Sequence, residues 1–453
     1  DPLAMAVIQT QAQGNPFFAE ELADALADAG RFVYGERAGW ELSADTVRRL
    51  AAAGCLERVD DAWRLSHNAP LASVDLGVPA SVHGVVLARL DRLPEPVKLT
   101  VKVASVIGRT FDLDLLMRAH PQPSPGALHE HLETLLRRDF ARVEQPSPRT
   151  VYLFKHNIIQ EVAYQTMLED QRRWLHQSVG QAIEESQPAS IEQLAFHFFH
   201  SDVAQPLLRK QALHYLDAAA ERARREYANE TALSYLARAI GLEKRPHRLA
   251  LQVQVLHILG QRDEERAALE QLTALGGTTS FEVAMLWGEY HESVGDYDES
   301  RAWLQRGLDA AGVDENHTEE ARSLSRLGLV AWRQGEYEHA ETVYRQGLAV
   351  VTGAEHFVGE EAEIRYGLGL VYRQQGNYAD ARREFGSSLE INRGLNNRQN
   401  EARALNALGH VESIERNFHQ AISFYRAALD IRRTIGDRAG VGASTVSVAQ
   451  ALA

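Results

Sequence analysis

The feature that most restricts this chain is that its second half repeats itself. Leu327-Gly328, Gly335, Tyr337, Ala340, Tyr344 and Leu348 recur 41 positions on as Leu368-Gly369, Gly376, Tyr378, Ala381, Phe385 and Leu389. The series returns as Leu408-Gly409, Phe418, Ala421, Tyr425 and Leu429, and more loosely as Trp287-Gly288, Gly295, Tyr297, Ser300, Leu304 and Leu308. A fifth copy begins near Val441. A glycine after leucine lets two helices approach closely, the second glycine supplies a turn, and a small residue sits where the helices cross. Such units bury their apolar faces only against their neighbours, so the pattern predicts stacked helical hairpins, an α-solenoid with an extended inner wall.

The pattern resembles the tetratricopeptide repeat (TPR) family, in a version with a period near 40 instead of about 34. The resemblance covers 281–453, the last copy being truncated, and degenerate copies are expected over 206–280, where Ala228, Ala232, Leu236 and Ala239 precede Leu259-Gly260, Leu269 and Leu272. It implies a protein or peptide ligand on the concave face. The wall is expected to include Glu289, Glu292, Trp332, Tyr366, Arg373, Asn406 and His410, which differ between copies. The plainer reading is that many of these are solvated or make contacts within the array.

Residues 1–205 show no repeat. Amphipathic helices are predicted over 16–29, 82–92, 95–107 and 112–119. A helix over 127–138, two short strands over 140–144 and 150–154, and a helix over 157–168 then suggest a winged-helix region with a small β-hairpin wing. The stretch from 31 to 77 holds two similar pieces, Gly39-Trp40-Glu41-Leu42 and Ala62-Trp63-Arg64-Leu65, and reads as an inserted helix-and-hairpin element. The expected organisation is a helical lid-like segment at 1–77, a winged-helix-like switch region at 78–205, then the degenerate and the regular repeats. The fold class is therefore all-α dominated.

Five segments of this front half, in order, look like bacterial STAND-class signal-transduction regulators with AAA-type ATPase modules. They are Gly14-Asn15-Pro16-Phe17-Phe18-Ala19-Glu20-Glu21-Leu22, Val78-Pro79-Ala80-Ser81-Val82, Ala88-Arg89-Leu90-Asp91-Arg92-Leu93-Pro94, Ala104 through Phe111, and Phe154-Lys155-His156-Asn157 through Tyr164. The resemblance implies ADP or ATP as cofactor, bound through an ATPase core of the parent protein. Gly14, Asn15 and Pro16 match the lid motif whose proline packs on adenine, and His156 falls where relatives place a histidine that donates to the β-phosphate of ADP. Lys155 and Asn157 depart from the Met and Asp that flank that histidine in the family. Alternatives stand beside both assignments: Pro16 as a simple first-turn proline, and His156 as a polar residue opening a helix. The resemblance further implies an output, a class III nucleotide cyclase or a transcriptional domain, outside this stretch, and self-association on activation.

Other chemistry is excluded or left without candidates. No Gly-Lys-Ser/Thr loop exists, since none of Lys98, Lys102, Lys155, Lys210 and Lys244 follows a glycine, so phosphate hydrolysis has no catalytic residues here, whatever the parent protein does. No metal site is expected: His129 and His131 cannot share a zinc-binding helix face, and His197 and His200 read as part of a packed aromatic helix. A net charge of −14 argues against direct nucleic-acid binding, as do Glu130 and Glu133 on the presumed recognition helix. A single cysteine, the lack of a signal-peptide pattern, and the lack of a long apolar stretch predict a cytoplasmic protein with no membrane contact. The start at Asp1 and the stop within a helical pattern suggest a fragment. The sequence thus predicts the regulatory and sensor portion of a STAND-type ATPase, with a plain TPR scaffold or adaptor as the alternative.

Overall fold

The computed structural model describes residues 2–12, 15–35, 39–59, 62–66, 81–121, 124–146, 149–276, 280–313, 315–351, 358–435 and 437–452. Gly14 and the segment Val78-Pro79-Ala80 lie outside the described residues. The chain divides into two compact units, 1–222 and 223–453. The division falls within the stretch where degenerate repeats are expected to begin.

The front unit opens with α1 (Pro2–Ala12) and α2 (Pro16–Asp28). Asn15 caps α2: its side-chain oxygen accepts the Phe18 N–H at 3.2 Å, and Pro16 stands at the first helical position, where its missing N–H costs nothing. Two antiparallel hairpins follow, β1 (Phe32–Gly35) with β2 (Gly39–Leu42) and β3 (Leu56–Val59) with β4 (Ala62–Leu65), on either side of α3 (Ala44–Ala52). Each Trp-containing piece is thus the second strand of its own hairpin. Phe32, Leu42, Cys55 and Leu56 join Leu22, Leu26 and Val85 in one apolar cluster, which fixes the insertion to α2 and to α4 (Val82–Asp91).

Beyond α4 come α5 (Glu95–Ile107), β5 (Thr110–Asp112), α6 (Leu113–Ala119), α7 (Pro125–Arg137), β6 (Ala141–Gln145), β7 (Val151–Phe154) and α8 (Asn157–Gln165). The three strands form one antiparallel sheet in the order β5-β7-β6, with a bulge between Val143 and Gln145. Sequence reasoning anticipates β6 and β7 but not β5, whose three residues are too few for a period-2 signal. Its Phe111 stacks on Tyr152 at 5.6 Å, while Asp112 ends the strand by accepting the Leu115 N–H at 2.7 Å and capping α6. Helices α9 (Glu169–Ser186) and α10 (Ile191–Phe199) follow, then α11 (Pro206–Arg225), which contains the division between units.

The second unit consists of helices throughout its described residues. After α12 (Asn229–Leu242), α13 (Pro246–Leu259) and α14 (Arg262–Leu275), four hairpins run as α15 (Ser280–Val294) with α16 (Tyr297–Val313), α17 (His317–Arg333) with α18 (Tyr337–Val351), α19 (Val358–Gln374) with α20 (Tyr378–Gly394), and α21 (Arg398–Ile414) with α22 (Phe418–Thr434). Helix α23 (Arg438–Leu452) packs on α22. The repeat signature is explained by contacts within each hairpin. A Cβ on Gly369 would lie 2.6 Å from the Phe385 ring, and one on Gly409 2.6 Å from the Tyr425 ring, so these helices approach only because both positions lack side chains. Ser300, Ala340, Ala381 and Ala421 are all fully buried. Burial of one Phe385-sized side chain stabilises a hairpin by roughly 1.5–3 kcal/mol, which outweighs the entropic cost of its glycine.

One expected repeat residue has another role. Gly260, read as a helix-crossing glycine after Leu259, instead terminates α13 with φ of +72° and has open space around it. It is a turn glycine like Gly335 and Gly376, which also adopt positive φ. The turn before Phe418 dispenses with glycine and places Arg416 at φ of +64°.

Candidate functional site

Two constellations stand out, one in each unit. In the front unit, α2 packs on α4, and α4 packs on α8. This brings an acidic face of α2 against two cations and an imidazole from distant parts of the sequence. Arg89, 1% exposed, pairs with the fully buried Glu21, lies 3.3 Å from Asp24 and 3.6 Å from Asp28, donates to the Arg138 carbonyl at 2.5 Å, and packs over the Phe140 ring. Lys155 reaches Glu20 at 2.6 Å and Asp139 at 3.0 Å. His156 Nε2 lies 3.1 Å from Glu20 and 3.8 Å from Glu21, and its ring meets Phe17 edge-on at 5.3 Å.

The electrostatics follow from this crowding. Burial, only partly offset by Arg89 and Lys155, pushes the Asp24 carboxyl up to about 6. The hydrogen bond from Lys155 holds Glu20 below the usual carboxylate range. Burial opposes the charge on Lys155, but its bonds to Glu20 and Asp139 outweigh that and keep the ammonium above its ordinary value.

Of the residues expected to meet nucleotide, Asn15 and Pro16 sit exposed at the start of α2, and His156 packs on Phe17 in the first turn of the same helix. The three therefore share one end of α2. Sequence reasoning singles out Lys155 only as a departure from the family's Met and gives no role to Glu20, Glu21, Asp24 or Arg89, although all but Asp24 lie inside the segments quoted for the STAND resemblance. A fourth segment joins through Gln160, which donates to the Ser105 carbonyl at 2.7 Å.

A histidine cluster ties α9 to α10. His176 Nδ1 and His197 Nδ1 are 3.0 Å apart, the Tyr164 hydroxyl lies 2.9 Å from His176 Nε2, and His200 stacks on His176. Burial, reinforced by the neighbouring imidazoles, depresses His176 to about 3 and His197 to about 4, so near neutrality one ring donates to the other. His131 bonds the buried Thr100 hydroxyl at 2.9 Å, while His129 faces solvent beside Glu133.

In the second unit the expected wall residues all lie on α15, α17, α19 and α21, the first helix of each hairpin. Glu289 and Tyr366 line one cavity of about 410 Å³, together with Arg322, Arg326, Glu360, Glu363, Asn400 and Arg403. Glu289 pairs with Arg326; Glu363 lies 3.2 Å from Arg403, whose guanidinium stacks over Tyr366 at 4.1 Å. Asn406 and His410 form a second group, with His410 bonded to Asn406 at 3.1 Å and to the Tyr425 hydroxyl at 3.0 Å. Glu292 is nearly buried and held by Arg333 at 2.9 Å, while Trp332 packs against the array core with its indole N–H buried and unpaired. Arg373 is half-buried near His410. The cavity arginines escaped sequence reasoning, although Glu282, Arg322, Glu363 and Arg403 occupy one repeat position and alternate in charge, a signal that aligning the copies reveals.

Residues 280–352 and 360–434 match the family model of the tetratricopeptide repeat, so these hairpins are tetratricopeptide repeats. An uncharacterised protein of Rhizobium meliloti (strain 1021) is 30% identical over 127 residues, 28% of this chain; the chain spans 12% of that relative's length. Among solved structures, a Signal Transduction ATPase with Numerous Domains (STAND) protein with a tetratricopeptide repeat sensor, from Pyrococcus horikoshii, aligns over 82% of this chain and 56% of its own, with 9% identity and a TM-score of 0.47. BtubC from P. vanneervenii aligns over 50% of this chain and 92% of its own, with 14% identity and a TM-score of 0.36. Among the described residues, no helix is long and apolar enough to cross a membrane.

Proposed function

We propose that the chain is the regulatory part of a STAND-type ATPase: the repeat array binds a protein or peptide ligand, and the front unit, with its winged-helix-like region, responds to ADP or ATP held by an ATPase core. The output, a cyclase or transcriptional domain, belongs to the remainder of that cytoplasmic protein, and activation is accompanied by self-association. One observation carries the reading. Three segments that resemble the family, around Glu21, Arg89 and His156, meet in a single ionic cluster, buried at Glu21 and Arg89, beside the Asn15-Pro16 helix start.

The chemistry of that cluster suits a switch. His156 Nε2 faces Glu20, and one ring nitrogen cannot serve both a carboxylate and a phosphate. Exchange of Glu20 for a phosphate oxygen would replace one charge-assisted bond with another, so the difference between the two states is small enough for a ligand to tip. Moving the population from mostly closed to mostly open requires about 5 kcal/mol of differential affinity, within reach of a protein-sized ligand on the array.

The test is calorimetric titration of ADP into the protein carrying the sequence upstream of residue 1. Glu20→Gln removes the competitor and should tighten ADP several-fold, whereas His156→Ala should weaken it about tenfold or more. Indifference of ADP binding to both substitutions would leave the adaptor reading, in which the array scaffolds proteins and the front unit only caps it. That second reading is favoured by the family match, which falls on the array alone.

A further inference from the structure

In three of the four hairpins the residue beneath the crossing glycine either has no hydroxyl or has its hydroxyl satisfied. Leu304 and Phe385 carry none, and Tyr425 bonds His410 Nδ1 at 3.0 Å. Tyr344 differs. It is 2% exposed, passes between Gly328 of α17 and Gly367 of α19, and its hydroxyl has no hydrogen-bond partner among the described residues.

Gly367 is what opens the wall above it. At this repeat position the other copies carry Leu286, Arg326 and Ala407. A Cβ on residue 367 would stand 2.2 Å from Tyr344 Cζ and 2.6 Å from its oxygen, so the missing side chain exposes the end of the phenol to the 410 Å³ cavity that both residues line. The hydroxyl oxygen thus meets the solvent of the cavity, where an acceptor on a ligand can take the place of water.

The rim defines the ligand. Its charged residues are three cations, Arg322, Arg326 and Arg403, and three anions, Glu289, Glu360 and Glu363, so the cavity has no net charge but strong local fields of both signs. The pairs Glu289–Arg326 and Glu363–Arg403 have side chains between 25% and 41% exposed, where an ion pair contributes about 0–1 kcal/mol. They can therefore open cheaply to a ligand that brings both charges in exchange. The volume lies near the low end of the roughly 300–1,000 Å³ typical of small-molecule sites.

We propose that this cavity binds a zwitterion of amino-acid size, its carboxylate accepting from the Tyr344 hydroxyl and the flanking guanidinium groups of Arg326 and Arg403, its ammonium facing Glu289 or Glu363. The inference rests on the reading of the array as the ligand-binding part of a sensor and adds a small ligand beside the protein or peptide proposed there. A mono-anion or mono-cation leaves half of the rim unanswered and should bind at least tenfold more weakly.

The test uses the full chain and isothermal titration calorimetry with each of the twenty free amino acids and a set of dipeptides. For any that binds, the N-acetyl and amide forms, each with one charge, provide the comparison. Tyr344→Phe keeps the ring and its packing but removes the hydroxyl, and should weaken binding about tenfold or more with unchanged helical content. Binding by dipeptides alone would support the site with a chain end as its source. Absence of binding at millimolar concentration by every compound, or equal affinity of Tyr344→Phe and the unaltered chain, would overturn the proposal. Either failure leaves the ADP titration unaffected, so the switch reading stands or falls separately.

Discussion

The two units bury charge in opposite ways. In the array each buried carboxylate has its own donors: Glu384 has Arg365 and Arg383, Glu401 has Arg393 and Arg398, and Glu412 has Arg382 and Asn417. Burial alone would push the Glu401 and Glu412 carboxyls up, yet these bonds outweigh it and hold both below the usual range. In the front unit Arg89, Lys155 and His156 are shared among Glu20, Glu21, Asp24, Asp28 and Asp139. Acids outnumber bases there, and Asp24 is left near 6. The buried carboxylates of the array are thus matched by donors, whereas the front cluster gains from another positive charge or a proton.

The sharpest way to break this comparison is to remove one arginine from each unit. Arg89→Met strands Glu21, which is fully buried, and should destabilise the front unit by about 3–5 kcal/mol. Arg382→Met leaves Glu412 with Asn417 at 2.8 Å and should cost the array less, about 1–3 kcal/mol. Urea denaturation followed by limited proteolysis of the two units measures both, and a larger loss for Arg382→Met would contradict the proposed asymmetry.

Asp24 sharpens it further, with a sign opposite to intuition. Its folded value of about 6 lies above the ordinary 3.8, so the folded state prefers the protonated acid. Its contribution to stability is fully present below pH 3.8 and is lost as pH rises through 6. Asp24→Asn should therefore stabilise the front unit by about 3 kcal/mol at pH 7 and by nearly nothing at pH 3.5. Equal denaturation midpoints for the variant and the unaltered chain at pH 7 would show that the cluster is not overloaded with acid.

The array was legible in the sequence because its determinants are periodic. Gly328, Gly369 and Gly409 mark helix crossings through a contact that recurs every 40 or so residues, and the large residue beneath each follows at a fixed offset. The front unit was legible only in part. Its helices carry a 3.6-residue signal and β6 and β7 alternate, but the pairings of Arg89 with Glu21 and of His156 with Glu20 join positions 68 and 136 residues apart, which no local pattern encodes. Gly260 shows the converse: a correct motif, Leu-Gly, at a position where the backbone uses the glycine for its positive φ. Tyr344 belongs to the repeat series, but the access of its hydroxyl to the cavity depends on Gly367, which no repeat pattern marks.

Acidification should separate the units next. His176 and His197 have folded values of about 3 and about 4, below the ordinary 6.5, so the unfolded chain takes up protons first as pH falls. Stability from the pair is present above 6.5 and is lost between there and about 3, at about 2 kcal/mol per histidine by pH 5. Replacement of both by Gln should flatten the pH dependence of front-unit unfolding between pH 7 and 5. A slope that survives the double substitution would locate the effect elsewhere.

The smallest expected effect tests whether equivalent local chemistry serves different ends in the two units. Asn15 and Asn397 both cap helices, accepting the N–H of Phe18 and of Asn400 at 3.2 Å each. Either Asn→Ala change should cost about 1 kcal/mol, because one of four orphan amides loses its partner. The consequences diverge after that. Helix α21 packs between α20 and α22, so Asn397→Ala should fray one turn and leave the ADP titration unchanged. The first turn of α2 carries Phe17, which packs on His156, so Asn15→Ala should also disturb the His156–Glu20 contact and shift the ADP titration of the upstream-extended protein by a few-fold. Equal stability losses with no ADP effect from Asn15→Ala would make its cap purely structural, and the two ends of the molecule would then differ in charge balance but not in use.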